Sequence, residues 1–240
     1  MNVAIRYGDE EILCPVHENP AVCSLIRIHV YPDGSVEIES PPGKSHVEIQ
    51  QAAQKRARWV FDHRNSAIAA RKIALPREYV SGETHFYLGR RHKLIVRTAK
   101  EDSSVRLMRG RLEVTAPVAD PAAVRRRLRE WYRERASDYL HRKVSDWSAL
   151  LPWVKSQPAL RLMAMSTQWG SCSPQGAIFL NPALIRAPRH CIDYVVLHEL
   201  CHLAEHNHSK RFYAMLDRHM PDWEHAKSEL DGLAELILAD

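Results

Sequence analysis

The stretch Ile192-Asp-Tyr-Val-Val-Leu-His198-Glu199-Leu-Cys-His202-Leu-Ala-Glu205-His206-Asn207-His208 decides how the rest of the chain is read. Successive helical residues turn by about 100°, so His198 and His202 differ by about 40° and share one face, a turn apart. Two imidazoles so placed can hold one metal ion. Glu199 is not needed as a ligand, which leaves its carboxylate to take a proton from water at the metal. Ile192, Val195, Val196, Leu200 and Leu203 follow helical spacing and mark a buried stripe, with the histidine pair along its edge. A polar pair at the rim of a core predicts a cleft.

A hydrolytic zinc site usually has three protein ligands, and Glu205, His206 and His208 are the candidates for the third. His206 continues the row of His198 and His202. It lies about 12 Å along the axis from His198, beyond the reach of shared Zn–N bonds of about 2 Å unless the helix breaks, and is read as solvated. Asn207 tolerates the left-handed conformation that ends helices, so the chain can turn there and bring His208 back over the metal. His208 also flanks the next helix, Lys210 to His219, where Ser209 is the N-cap and Phe212 and Leu216 point inward. The two roles are compatible, and His208 is the expected third ligand of Zn2+.

Three segments extend the motif. They are Gln168-Trp-Gly-Ser-Cys-Ser173 followed by Gly176-Ala-Ile-Phe-Leu-Asn181, then Ile192 to His202, then Asn207-His-Ser209 with Phe212 and Met220-Pro-Asp-Trp223. Together they resemble the YgjP-like metallopeptidase-type proteins, relatives of the SprT-like and WLM zinc proteins. The likeness is clearest from Arg161 to Trp223 and looser, in the order of elements, before that. It implies His198, His202 and His208 as zinc ligands, Glu199 as the catalytic acid and a zincin-like C-terminal domain. The sequence departs from the pattern at Gln168, a position often basic in the family, so an anion-binding role there is not carried over. A metzincin also places His at 208 but needs glycine where this chain has Glu205, which sets that family aside.

With 240 residues, 45% hydrophobic and 26% charged, the chain has an ordinary globular composition, and disorder and fibres are excluded. It contains no run of 18 apolar residues, and the segment Met1 to Glu10 lacks an apolar signal core, so a cytoplasmic protein without a membrane partner is expected. Five cysteines, at 14, 23, 172, 191 and 201, form no C-x-x-C pair, as in a protein of free thiols in a reducing compartment. Cys172 is read as a packing residue.

The expected fold class is α+β. Residues 1–118 form a β-rich N-terminal region with an antiparallel sheet and a covering helix, 119–150 a bridging helix, and 151–240 a zincin-like, metal-dependent hydrolase domain containing the HExxH helix. Three hairpins are predicted: Leu25 to Tyr31 with Ser35 to Ser40 across Pro32-Asp33-Gly34, His85 to Leu88 with His92 to Arg97, and Val105 to Met108 with Leu112 to Thr115. Ser45 to Ala74 is helical in pattern. Val36-Glu-Ile-Glu-Ser-Pro41 and Leu112-Glu-Val-Thr-Ala-Pro117, each followed by a helix bearing a Trp, echo one another, but hairpin-then-helix units are common and the echo is read as chance. Asp120 and Pro121 open the long helix, Leu160 to Ser166 and Ala177 to Asn181 are strands, and Pro221 to Leu238 is a closing helix.

The sequence therefore predicts a zinc metallohydrolase, first of all a metallopeptidase acting on a peptide or unfolded protein, with Glu199 as general base and then acid. Trp169 and Asn181 are candidate substrate contacts, and the strand before the metal helix is a candidate open edge for an extended peptide. The alternative is a nucleotide pyrophosphohydrolase, an activity the resemblance also allows, with Arg161, Arg186 and Arg211 on phosphate. A non-catalytic zinc-containing binding protein is the third possibility. A net charge of +5 and the arginines of the long helix imply at most weak, non-specific nucleic-acid contact, because acidic residues are interleaved among them.

Overall fold

The computed structural model describes residues 1–8, 10–19, 26–31, 34–73, 77–99, 104–117, 120–165 and 168–238. Cys23, the strand start Leu25, the turn residues Pro32 and Asp33, Ala74 at the helix end and Ser166 lie outside them. The chain divides into two compact units, Met1–Leu75 and Pro76–Asp240.

In the first unit, strands β1 (Asn2–Tyr7), β2 (Glu10–Glu18), β3 (Arg27–Val30) and β4 (Val36–Ser40) are followed by helices α1 (His46–Gln54) and α2 (Ala57–Ile73). Val3 and Ile5, Cys14 and Val16, and Val36 and Ile38 alternate with outward residues, so each strand turns one face to a core closed by Ile49, Ala53, Val60 and Phe61 of the helices. Ser45 and Glu48 form a reciprocal capping box at the start of α1. The single helix expected from Ser45 onward is interrupted at Lys55-Arg56.

In the second unit, β5 (Thr84–Tyr87), β6 (Arg90–Thr98), β7 (Val105–Met108) and β8 (Arg111–Ala116) precede helix α3 (Pro121–Leu150). The two sheets share one topology. Their orders are β1-β2-β4-β3 and β5-β6-β8-β7, each with an antiparallel outer pair at either side and a parallel pair in the middle. The echo between Val36–Pro41 and Leu112–Pro117 therefore marks corresponding strands, β4 and β8, and is not accidental. The sheets are mixed where an antiparallel sheet was expected. The strands of each predicted hairpin pair antiparallel over their described residues, and the central parallel pairing joins strands that are not consecutive in sequence.

The expected boundary after residue 118 also differs from the observed division. Leu94, Leu112 and Val114 of the β5–β8 sheet share one core with Val124, Leu128 and Trp131 of α3, and with the apolar stripe of the metal-motif helix. This sheet belongs to the second unit, and α3 is its central element, not a bridge. The long helix is capped by Asp120, whose carboxylate accepts from the Ala123 N–H at 3.0 Å.

Beyond α3 come β9 (Leu160–Leu162), β10 (Gly170–Cys172) and β11 (Ile178–Leu180), a 3-10 turn (Pro182–Arg186), and helices α4 (Arg189–Cys201), α5 (Lys210–His219) and α6 (Trp223–Leu238). The three short strands run in the order β10-β11-β9. Two contacts fix where α4 starts and how it lies. The β5–β6 turn has Leu88 and Gly89 both at positive φ, and their N–H groups donate to the carbonyls of Ile185 and Arg186 at 2.8 and 3.2 Å. A Cβ on Gly89 would sit 2.8 Å from the Pro188 backbone, so the close approach requires glycine. Farther along, Trp147 and Lys143 of α3 both hold the carboxylate of Asp193, at 2.9 Å each. Among the described residues no helix is long and apolar enough to cross a membrane.

Candidate metal centre

Helix α4 ends earlier than its sequence suggests. The last helical residue is Cys201, and His202 is the C-cap with φ −64° and ψ −17°. The N–H groups of Leu203, Ala204 and Glu205 close a tight turn onto the Leu200 and Cys201 carbonyls, and the Trp153 indole also donates to the Leu200 carbonyl at 2.9 Å. The chain then doubles back, and Ser209 caps α5 by accepting from Arg211 and Phe212 N–H groups. The reversal thus begins about five residues before Asn207, where it was expected. It leaves His206 exposed outside the cluster and brings His208 to His198 and His202.

The three imidazoles form a nearly equilateral triangle, with ring centroids 5.0, 4.9 and 4.8 Å apart. Nε2 of His208 and Nε2 of His198 are 3.0 Å apart, and the candidate ligand atoms of all three lie within 4.8 Å of one another. Phe212, fully buried, is 4.7 to 4.9 Å from each ring and forms the floor that keeps them together. His202 Nδ1 lies 3.1 Å from the Glu205 carbonyl, a contact in which Nδ1–H donates and Nε2 keeps its lone pair for the centre. Burial first, then the neighbouring His208 and His202, hold His198 well below the usual imidazole pKa, so it is neutral. Its Nδ1 is buried with no hydrogen-bonding partner among the described residues. Three converging imidazoles, one of them held neutral, suit a borderline-soft divalent ion.

Glu199 follows His198 on α4 and is almost fully buried, which pushes its carboxyl up to about 8. Strand β10 covers it. A Cβ on Gly170 would be 2.8 Å from both Cγ and Oε1 of Glu199, so the strand can lie on the carboxylate only because residue 170 has no side chain. This contact was missed in the sequence, where Gly-Ser-Cys carries no strand signal.

The family profile described as "YgjP-like, metallopeptidase domain" matches residues 24–232. The chain belongs to the YgjP-like metallopeptidase family. Membership makes it a metal-dependent hydrolase of the peptidase kind at family level and implies a divalent metal ion. A solved structure described as the metallopeptidase zymogen of Pyrococcus abyssi abylysin is 24% identical, over 45% of this chain and 93% of that one, with a TM-score of 0.31. No curated relative matches the chain.

The other candidate residues of this YgjP-like chain fall in different settings. Asn181 is buried and fully used within the fold. Its Oδ1 caps the 3-10 turn at Ala183, and its Nδ2 donates to the carbonyls of Met165 and Gln168 at 2.8 and 3.3 Å. It ties the loop before β10 to the end of β11, and it also lines the cavity that Arg186 borders. Trp169 packs its side chain on the core, and its carbonyl accepts from Asn181 N–H. Arg186 is buried, donates to the Ile237 carbonyl at 2.7 Å and lies over the Tyr132 ring at 4.5 Å. With Arg125, Arg126, Arg129 and Arg133 of α3 it lines a cavity of about 790 Å³ whose lining includes none of the three histidines. Arg161 is exposed on the edge strand β9, and Arg211, one turn past His208, is 4.0 Å from Glu205. Strand β11, the candidate open edge, is the central strand of its sheet. Among the described residues, β10 is an outer strand of that sheet, and it is the strand packed on Glu199.

Proposed function

We propose that this chain is a zinc-dependent peptidase in which His198, His202 and His208 hold the metal and Glu199 handles the proton of the attacking water. The observation that carries this reading is the triangle of imidazoles, with the next residue after His198 a buried glutamate packed under strand β10. When bound, zinc supplies a Lewis acid that polarises a carbonyl and lowers the pKa of water towards about 7. Glu199, made more basic than a solvated glutamate by its burial, accepts the proton and returns it to the leaving amine. The edge of β10 offers backbone donors and acceptors to an extended peptide or unfolded segment, which would lie directly over that carboxylate. A structural zinc normally closes with four protein ligands, so three imidazoles with a carboxylate in the acid–base position favour catalysis over a clamp.

The purified protein is expected to cut unfolded proteins or peptide libraries, to stop when the metal is chelated and to recover when zinc is restored. Cleavage by metal-free protein would refute the reading, as would nucleoside triphosphates being hydrolysed while every peptide is spared.

Gly170→Ala tests the packing of β10 on Glu199. Glu199 is boxed in, so the added methyl must shift the carboxylate or the strand. A displacement near 1 Å at a reacting group costs about 10- to 100-fold in rate, and we expect a loss of that size with zinc content unchanged. Unaltered turnover would mean that the carboxylate has no fixed working position.

A further inference from the structure

A second cluster of metal-binding side chains lies at the other end of α4. His190 and Cys191 occupy its first turn, and Glu229 reaches them from α6, with the three ligand atoms within 4.8 Å of one another. His190 Nε2 is 2.7 Å from Glu229 Oε2 and 3.5 Å from Cys191 Sγ. His225, one turn before Glu229 on α6, places Nε2 4.0 Å from the same carboxylate oxygen, and its ring is parallel to that of His190 at 6.2 Å. We propose that His190, Cys191 and Glu229, with His225 at the fourth corner, form a second metal site of zinc-type chemistry that clamps α6 to the start of α4.

Donor geometry and chemistry carry the proposal. Bonds of about 2.0 Å to nitrogen or oxygen and about 2.3 Å to sulfur put tetrahedral donors about 3.3 Å apart, or about 3.6 Å where one is sulfur. The Cys191–His190 separation already matches, and the His190–Glu229 contact has to open by about 0.6 Å. His225 and Glu229 are spaced i,i+4, the spacing that aligns two side chains on one helical face, and the His225 side chain is 78% exposed and can swing inward. A donor set of one thiolate, two imidazoles and one carboxylate is characteristic of zinc. Cys191 is fully buried behind the two exposed histidines, so the ion can enter from solvent and meet the thiol last. Burial, with Glu229 adding to it, pushes that thiol up to about 12 and leaves it idle as a nucleophile, whereas metal binding would displace its proton.

Such a clamp acts on the element that carries the first centre. Trp223, at the start of α6, stacks on Tyr194 of α4 at 6.1 Å, and the Tyr194 ring meets His198 edge-on at 5.7 Å. Pinning α6 to the first turn of α4 would keep this aromatic stack in place.

The full-length protein loaded with cobalt(II) tests the site independently of any activity, because three histidine ligands give no sulfur signal. Wild type is expected to bind about two ions per chain and to show a near-ultraviolet thiolate-to-cobalt charge-transfer band. Cys191→Ser should abolish the band and one equivalent of metal. Glu229→Gln and His190→Ala, at less buried positions, should weaken both by at least about 10-fold, as loss of metal-site groups does. His198→Ala with His202→Ala should keep the band. A single equivalent without the band, or a band that survives Cys191→Ser, overturns the proposal and leaves His190 and Glu229 as an ion pair over a buried thiol.

Discussion

Replacing Glu199 with glutamine is expected to lower hydrolysis by at least about 100-fold, the lower range for loss of a general base, while zinc content and melting temperature stay near wild type. Glutamine keeps the volume packed beneath Gly170 and can still hydrogen-bond, but it cannot accept the proton of water. Removing a carboxyl from a buried position without losing its shape should not harm the fold, because burial opposes its charge in the first place. Parallel measurements of rate and zinc content separate the two roles. Equal turnover by mutant and wild type would make Glu199 a packing residue, and loss of zinc from the mutant would make it a ligand.

The second large effect is expected at His208. His208→Ala removes one of three converging imidazoles and should weaken zinc binding by more than about 100-fold, beyond the range for losing an outer-shell partner, whereas His206→Ala, at an exposed position, should leave it unchanged. Metal competition against a chromogenic chelator reads both. Equal retention by the two variants would take His208 out of the ligand set and return the question to Glu205.

The part of this centre that was legible in the sequence is the part fixed locally. The i,i+4 spacing of His198 and His202 needs only a helix, and the stripe of Ile192, Val195, Val196 and Leu200 supplies one. The helix end was harder to place, because Leu203 and Ala204 continue the apolar pattern and the turn that stops α4 carries no glycine or proline. His208 joins the cluster although the turn lies five residues earlier than expected, since any reversal before Ser209 brings it back. The hairpins follow from their Gly-containing turns. The parallel pairs β2–β4 and β6–β8 join strands that are not adjacent in sequence, and no local signal encodes them.

Strands β1 and β2 went unread, although Val3, Ile5, Cys14 and Val16 alternate. Their outward residues, among them Arg6, Glu10 and Glu11, are charged and exposed around the turn between them. Asn181 and Trp169 are expected as candidate substrate contacts, and both lie within the motif segments. The hydrogen bonds of Asn181 show that it also holds the loop before β10 to β11, a structural task visible only once the partners Met165, Gln168 and Ala183 are seen.

The most direct test of the account is diffraction from zinc-loaded crystals of the Cys191→Ser variant, recorded on both sides of the zinc absorption edge. We predict one anomalous peak at the triangle, about 2.0–2.1 Å from an imidazole nitrogen of each of His198, His202 and His208, with the Glu199 carboxylate outside bonding distance. A peak bonded to Glu199, or to fewer than three of these histidines, would contradict it.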